Sequence, residues 1–262
     1  MTSKTVVLIT GANRGIGRGL ADTYLSRPNH TVIALVRDTT SVTSQSLLRE
    51  SASHGQDSQA ILITYDASDA NSADAAISDL RAQHPEVTQI DTIIANAGYM
   101  DYSGPSLDAS REIYIEHLTT NALAPLFLLK ATLPLLSRSP TPKLIAISSA
   151  VGSIAFTGSH NANFDTKGNR RGSALPYGAA KCALNYIMVK LDIEHPDVAV
   201  GLFTPGPTMT GFGGERVKWD LVPGAMYIEP VVEGLMRQFD GLKKQKVGDL
   251  RLKDWSGKEI AW

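Results

Sequence analysis

Short, continuously apolar runs alternate with longer stretches of helical period along almost the whole chain. Val6–Thr10, Thr31–Val36, Ala60–Tyr65, Ile90–Ala95, Lys143–Ile147 and Val198–Phe203 read as strands, because runs of this length without polar alternation suit strands covered on both faces. Between them, Arg18–Ser26, Ser72–Gln83, Ser106–His117, Thr120–Leu136, Tyr177–Glu194 and Pro230–Phe239 carry apolar residues at helical spacing. Leu126, Leu129, Leu133 and Leu136 form one such buried stripe. Pro28, Pro85 and Pro196 stand just past three of these helices, where proline ends them. Val247–Leu252 is expected as a last strand. Strands that alternate with helices predict an α/β doubly wound fold, a mostly parallel sheet of about seven strands with helices on both faces.

Neither a repeat nor a linker divides residues 1–262, so the expectation is a single domain. Two segments lack periodicity. Residues 158–176 include Asn161, Asn163, Asn169, Arg170 and Arg171 and read as an inserted, exposed loop. Residues 209–228 include Gly211, Gly213, Gly214, Pro223 and Gly224 and read as a movable lid.

Composition narrows the function. A chain that is 43% hydrophobic and 19% charged is expected to be soluble and globular. A net charge of −1 supplies no global field for nucleic acid or an anionic membrane, and neither is expected as a partner. Arg170-Arg171 and Lys243–Lys246 read as solvated surface. Cys182 is the single cysteine, so no intrachain disulfide forms; a small packing residue in a cytoplasmic protein is the expectation. Val6–Ile9 is too short for a signal-peptide core, and Ala122–Leu136, interrupted by Lys130, reads as too short to span a bilayer.

Two constellations carry chemistry. Thr10, Gly11, Ala12, Asn13, Arg14, Gly15, Ile16 and Gly17 follow the first strand and open a helix. A glycine turn there lets the backbone approach a dinucleotide pyrophosphate at the helix N-terminus. Tyr177 and Lys181 lie four residues apart on a predicted helix and so share a face. A lysine charge beside the phenol is expected to lower its pKa, and a tyrosine so tuned can exchange a proton with a carbonyl. Arg14, in the turn, and Arg37, past the second strand, suit the 2′-phosphate of NADP(H); Asp38 is the competing residue and would favour NAD.

These motifs resemble those of the short-chain dehydrogenase/reductase family. The ordered set comprises the Thr-Gly-x-x-x-Gly-x-Gly turn, Asp66, Asn96-Ala97-Gly98, Asn121, Ser148-Ser149, Tyr177-x-x-x-Lys181 and Pro205-Gly206. The resemblance implies a Rossmann-type domain in which Asp66 and Ala67 contact adenine. Asn96, Ala97 and Gly98 would stabilise the sheet centre and line the adenosine ribose. Pro205 and Gly206 would lie beneath the nicotinamide, with Thr208 and Thr210 near the carboxamide and pyrophosphate. Ser149, the second serine of its pair, would donate to the substrate carbonyl and Tyr177 would give the proton. Lys181 would tune the tyrosine and bond the nicotinamide ribose, while Asn121 would hold a water linking Lys181 to solvent. The gap from Ser149 to Tyr177 is about twice the family's usual one, which marks the insertion.

The Ile-Ala-Asn-Ala-Gly run, Arg37 and the stretch Asp254–Trp262 resemble the subgroup of sniffer-type and norsolorinic acid ketoreductase-like carbonyl reductases. This implies NADPH-dependent reduction of a small-molecule carbonyl, with a bulky aromatic or polyketide-like ketone favoured. Tyr99, Met100, Tyr102, Phe156, Met209, Phe212 and Trp219 are expected to line the substrate mouth. His160 reads as a solvated loop residue. The alternatives are an NAD-dependent alcohol dehydrogenase, or a nucleotide-sensing regulator that has lost catalysis. The family resemblance also implies a homodimer or homotetramer.

Overall fold

One sheet of eight strands, in the order β3-β2-β1-β4-β5-β6-β7-β8, organises the computed structural model. Residues 4–49, 54–102, 104–159, 174–213, 222 and 224–262 are described. The strands are β1 (Thr5–Thr10), β2 (His30–Val36), β3 (Gln59–Thr64), β4 (Thr92–Ala95), β5 (Lys143–Ile147), β6 (Ala199–Thr204), β7 (Leu252–Asp254) and β8 (Glu259–Ile260). The first seven run parallel to their neighbours, and β8 returns antiparallel to β7.

Strand order reverses at β1, which pairs with β2 on one side and β4 on the other. In open parallel sheets, a ligand crevice forms beyond the strand ends at such a reversal. The apolar runs divide by the two-residue period of a strand. Val6 and Leu8 enter a core with α3 (Ser72–Gln83), α5 (Ala124–Leu136) and α7 (Leu175–Glu194). Val7 and Ile9 enter the opposite core with α1 (Gly15–Leu25) and α8 (Ile228–Gly241). Continuous hydrophobicity in β1 is thus the signature of a sheet buried on both sides.

The structure departs from the sequence expectations in four places. α2 (Val42–Arg49) forms in a hydroxyl-rich stretch, where only Ser44 and Leu47 are buried and the apolar stripe is too thin to announce a helix. The last parallel strand begins at Leu252 instead of Val247, because Gly248 takes φ +88° and turns the chain first. α6 (Ile154–Ser159) forms where no helix was expected and carries Phe156. Finally, Ser106–Asp108 is a short 3-10 turn, whereas α4 (Arg111–Leu118) continues through a π-helical turn at Thr119–Leu123 into α5. The joined Arg111–Leu136 helix has 26 residues and is long and apolar enough, by length and composition, to cross a membrane. That corrects the expected length of this stretch. Its inner face, including Ala122, Leu128, Leu129, Leu135 and Leu136, packs on the sheet.

At the end of the sheet opposite the crevice, Asp91 joins the starts of the central strands β1, β4 and β5. Its carboxylate accepts from Val6 N–H at 2.8 Å, Ser139 Oγ at 2.6 Å and Gln89 Nε2 at 2.9 Å, while its carbonyl accepts from Lys143 N–H. Removing that carboxylate strands buried donors, which costs about 1–3 kcal/mol. Urea unfolding of Asp91→Ala is expected to show a loss in that range. Arg27→Ala, which removes the partner of a half-exposed Asp240, should lose less than about 1 kcal/mol.

Candidate active site

The glycine turn is locked from beneath by Thr10 and Asn96. Thr10 Oγ1 accepts from the N–H groups of Asn96 and Ala97 at 3.0 and 2.8 Å, and Asn96 Nδ2 donates to Thr10 O at 2.9 Å. These bonds tie the ends of β1 and β4 together across the strand-order reversal. Gly11 sits at φ +66° and Gly15 at φ +55°, conformations that suit glycine. At Gly17, a Cβ would lie 2.3 Å from Gly11 O and 2.4 Å from Asn96 Nδ2, so helix and turn meet closer than any side chain allows.

The turn leads into α1, whose first turn has neither an acidic residue nor a side-chain cap among the described residues. Open N–H groups at a helix start favour an anion. Arg14 and Arg37 are exposed beside this start and the end of β2, respectively, and Ile16 packs on the core. Asn13 Nδ2 reaches Thr43 Oγ1 at 3.3 Å and Ser44 Oγ at 3.2 Å, bracing the turn against α2. Asp38 Oδ1 accepts from the N–H and hydroxyl of Thr40 at 2.8 and 2.6 Å, which holds it in a local turn. Those bonds keep the exposed Asp38 carboxyl below its usual pKa.

Asp66 follows β3, and its Oδ1 accepts from Ser68 N–H and Oγ. Nearby, Thr10, Tyr65, Ala67, Ala97, Thr120 and Leu128 line a narrow crevice. Thr120 Oγ1 is buried there without a hydrogen-bond partner. An orphaned hydroxyl among these side chains is a polar atom left for a ligand to satisfy. Sequence reading passed over Thr120, because a threonine next to Asn121 carries no signal until the helix orients it. Together, the uncapped helix start and the exposed arginines fit a phosphorylated dinucleotide.

The reacting groups gather where β5 ends. Ser148 Oγ donates to Asn185 Oδ1 at 2.6 Å and is buried away from the crevice. Ser149 points to the other side and hydrogen-bonds the Tyr177 hydroxyl. The structure thereby gives the two serines different partners, as the strand period requires. Lys181 is 3% exposed, and its Nζ donates to Ile147 O at 2.8 Å and stands 5.7 Å from the Tyr177 ring centre. Burial pushes the Tyr177 phenol up to about 12, against the opposing effect of the Ser149 hydrogen bond. Burial also pushes Lys181 down to about 7. The expected lysine-driven lowering of the tyrosine is therefore not what this geometry produces. Desolvation is the largest cause of the shift in both groups.

Asn121 lies in the π-helical turn, fully buried. Its Oδ1 accepts from Tyr99 N–H at 2.9 Å, and its Nδ2 donates to Tyr99 O at 2.9 Å and His117 O at 3.0 Å. This side chain clamps the loop after β4. Tyr99 also packs on the buried His117 ring, with centres 4.8 Å apart.

The loop after β6 connects the two ends of the site. A Cβ on Gly15 would meet Thr210 at 3.5 Å, and one on Gly98 would meet Phe212 at 3.4 Å. The Phe212 ring leans on Tyr177, with centres 5.6 Å apart. Residues 210–212 thus run from the glycine turn to the phenol. Gly206, at φ +67°, reverses the chain after Pro205. Thr208 Oγ1 turns back to Pro205 O at 3.0 Å, leaving its acceptor lone pairs free of that bond, and Met209 N–H pairs with Met226 O. Tyr102 is bonded through its hydroxyl to Pro105 O at 2.5 Å, and Phe156 and Met100 are half-buried. Trp219, His160, Asn161, Asn163, Asn169, Arg170, Arg171 and most of the inserted loop lie outside the described residues, as do 214–221 of the lid. A separate cavity of about 360 Å³, lined by residues such as Phe203, Arg237 and Lys253, contains none of these site residues.

Comparison with known proteins fits this geometry. The family profile described as short chain dehydrogenase matches residues 5–221. Short-chain dehydrogenase RED3 of Pyricularia oryzae is 32% identical over the full length of both chains. Norsolorinic acid ketoreductase of Aspergillus parasiticus is 29% identical, covering 99% of this chain and 92% of its own. The NADPH-bound carbonyl reductase from chicken fatty liver superposes with a TM-score of 0.83 at 25% identity, covering 99% of this chain and all of its own. The chain belongs to the short-chain dehydrogenase family and is an oxidoreductase of that class.

The two shifted groups set a pH dependence. Between about pH 7 and its unfolded value near 10.5, Lys181 is protonated when unfolded and neutral when folded. The unfolded state then binds more protons, so this group makes stability rise with pH across that window. Tyr177 acts oppositely between about 10 and 12, where only the folded state keeps the proton. Urea unfolding of the cofactor-free protein at pH 7 and pH 9 is expected to show a smaller rise for Lys181→Met than for wild type. Equal rises would contradict the buried, uncharged lysine.

Proposed function

We propose that the protein reduces a bulky aromatic or polyketide-like ketone or aldehyde to an alcohol, using NADPH. The observation that carries this reading is the Ser149–Tyr177 hydroxyl pair, in which the half-buried Ser149 meets a buried Tyr177 that lies beside Lys181 and against the Phe212 ring. Two hydroxyls converge where a carbonyl oxygen would need donors. Ser149 stabilises the developing oxyanion, and Tyr177 delivers the proton. Burial favours the protonated phenol, the form that donates to a carbonyl oxygen. Lys181, fixed on Ile147 O, stands beside the phenol ring. NADPH, when bound, supplies the hydride.

Arg14 and Arg37 support the phosphorylated cofactor, since guanidinium groups match a dianionic phosphate. Asp38, already committed to Thr40, is a poor ribose ligand. The names of the relatives point the same way: one reduces norsolorinic acid, and another is a carbonyl reductase solved with NADPH. Phe212, Tyr99 and the half-buried Phe156 and Met209 supply apolar surface for a flat substrate.

NADPH absorbance with carbonyls ranging from fused aromatic ketones to small aliphatic aldehydes tests the reading. Aromatic ketones should turn over faster with NADPH than with NADH, and Arg37→Asp should narrow that gap. Tyr177→Phe should lower turnover by about a hundredfold to ten-thousandfold. Near-normal reduction by that variant would refute the mechanism.

We further infer that a second copy of the chain pairs through the helices carrying this site. Ile115, Leu118, Leu123 and Phe127 on the Arg111–Leu136 helix, with Tyr186 and Ile193 on α7, are large apolar side chains left exposed. Light scattering should give a dimer or tetramer, and a monomer across a concentration series would overturn this.

A further inference from the structure

The segment that carries Ser149 is gripped from a distant part of the chain. Ser149–Ser153 forms a tight turn in which Gly152 N–H donates to Ser149 O and Ser153 N–H to Ala150 O, both at 3.0 Å. One side of this turn rests on α7: Asn185 Nδ2 donates to Gly152 O at 3.2 Å, and a Cβ on Gly152 would lie 2.7 Å from the Lys181 backbone. The other side is held by residues 261–262. Ser153, 1% exposed, donates its hydroxyl to Ala261 O and accepts from Phe156 N–H at 2.9 Å. Ala155 N–H donates to Trp262 O at 2.8 Å.

These residues extend from the β7–β8 hairpin. Asp254 shapes its turn, with Oδ1 accepting from Ser256 N–H, Ser256 Oγ and Lys258 N–H at 2.7–3.0 Å, and Gly257 at φ +94° completes it. Within the same turn, Trp255 wedges between α8 and the loop after β6. A Cβ on Gly234 would lie 2.6 Å from its Cε3, and one on Gly206 would lie 3.9 Å from its Cδ1. The hairpin therefore touches both banks of the crevice. Trp255 backs the Pro205–Gly206 bend, and Ala261 and Trp262 hold the turn after Ser149.

We propose that residues 252–262 form a brace that positions Ser149 for the carbonyl, with the Ser153 hydroxyl as its pin. Ser149 itself has a single backbone donor on its Oγ, Val151 N–H at 3.4 Å, and its side chain makes no contact with the hairpin among the described residues. Its placement is inherited from the turn. The turn is fixed by β5 at one end and by the Ala261 and Trp262 carbonyls at the other. Ser153 and Ala261 are positioning residues, acting on the substrate through Ser149. The catalytic part of this proposal rests on the reductase reading above.

The test pairs amide exchange with a double-mutant cycle. A chain ending at Ile260, and Ser153→Ala as a full-length alternative should the shorter chain fail to fold, are each compared with wild type. Amides of residues 152–157 should exchange about tenfold faster in both, while those of β1 and β4 are unchanged. Turnover of an aromatic ketone should fall roughly ten- to a hundredfold, with NADPH affinity, read by fluorescence titration, unaltered. In a Ser149→Ala background the same changes should cost less than about twofold, because the residue they position is gone. Unchanged exchange at 152–157 overturns the brace. Equal fold losses in both backgrounds overturn the coupling to Ser149. A wild-type chain that reduces none of the carbonyls overturns the reductase reading, and the exchange result still decides whether the brace exists.

Discussion

The seating of α7 on the end of β5 is the constraint from which the rest of the site follows. Lys181 donates to Ile147 O, Asn185 bonds Ser148 and Gly152 O, and the Gly152 backbone packs against Lys181 too closely for a side chain. Burying a lysine nitrogen and an amide at a strand end is costly unless each finds a partner. Here the partners lie on one short segment, so satisfying them sets the register between helix and strand. That register turns Ser148 inward and leaves Ser149 facing Tyr177. A lysine stripped of water at this contact is pushed toward neutrality, and the phenol beside it toward retaining its proton. The same burial that fixes the geometry therefore favours the protonated phenol.

Around this contact the molecule builds a crevice by convergence of separate loops. Thr10 and Asn96 bind β1 to β4 under the glycine turn. Asn121 clamps Tyr99 after β4, the Ser149 turn follows β5, and residues 210–212 after β6 span from Gly15 to Tyr177. The first residues of each loop are anchored next to a strand end, so the functional side chains stand close to the sheet. The sheet supplies the frame, and its two cores keep the strands from shifting against one another.

Much of this was legible in the chain. Glycines at 11, 15 and 17 announced a turn that only small residues can make, and the four-residue spacing of Tyr177 and Lys181 announced a shared helix face. The strand period separated Ser148 from Ser149 before any coordinates did. What escaped notice depends on partners remote in sequence. The π-helical turn at 119–123 leaves no periodic trace in Thr-Thr-Asn-Ala-Leu, yet it aims Asn121 at the Tyr99 backbone. α2 lacks an apolar stripe because only Ser44 and Leu47 meet the core. The hold of Ala261 and Trp262 on Ser153 and Ala155 is made by backbone carbonyls, which no residue pattern encodes. The direction of the Tyr177 shift was misjudged for a related reason. Helical spacing shows that two groups are neighbours but says nothing of how dry their surroundings are.

The central claim is that the Ser149–Tyr177 pair protonates a carbonyl oxygen as a hydride arrives at carbon. It is tested most directly with NADPH carrying deuterium at the transferable position and a fused aromatic ketone, the alcohol being analysed by mass spectrometry after a single turnover. The account predicts an alcohol with one deuterium on the carbinol carbon from the wild-type protein, and only traces in the same interval from Tyr177→Phe. Unlabelled alcohol from the wild type, or labelled alcohol formed equally fast by the variant, would contradict it.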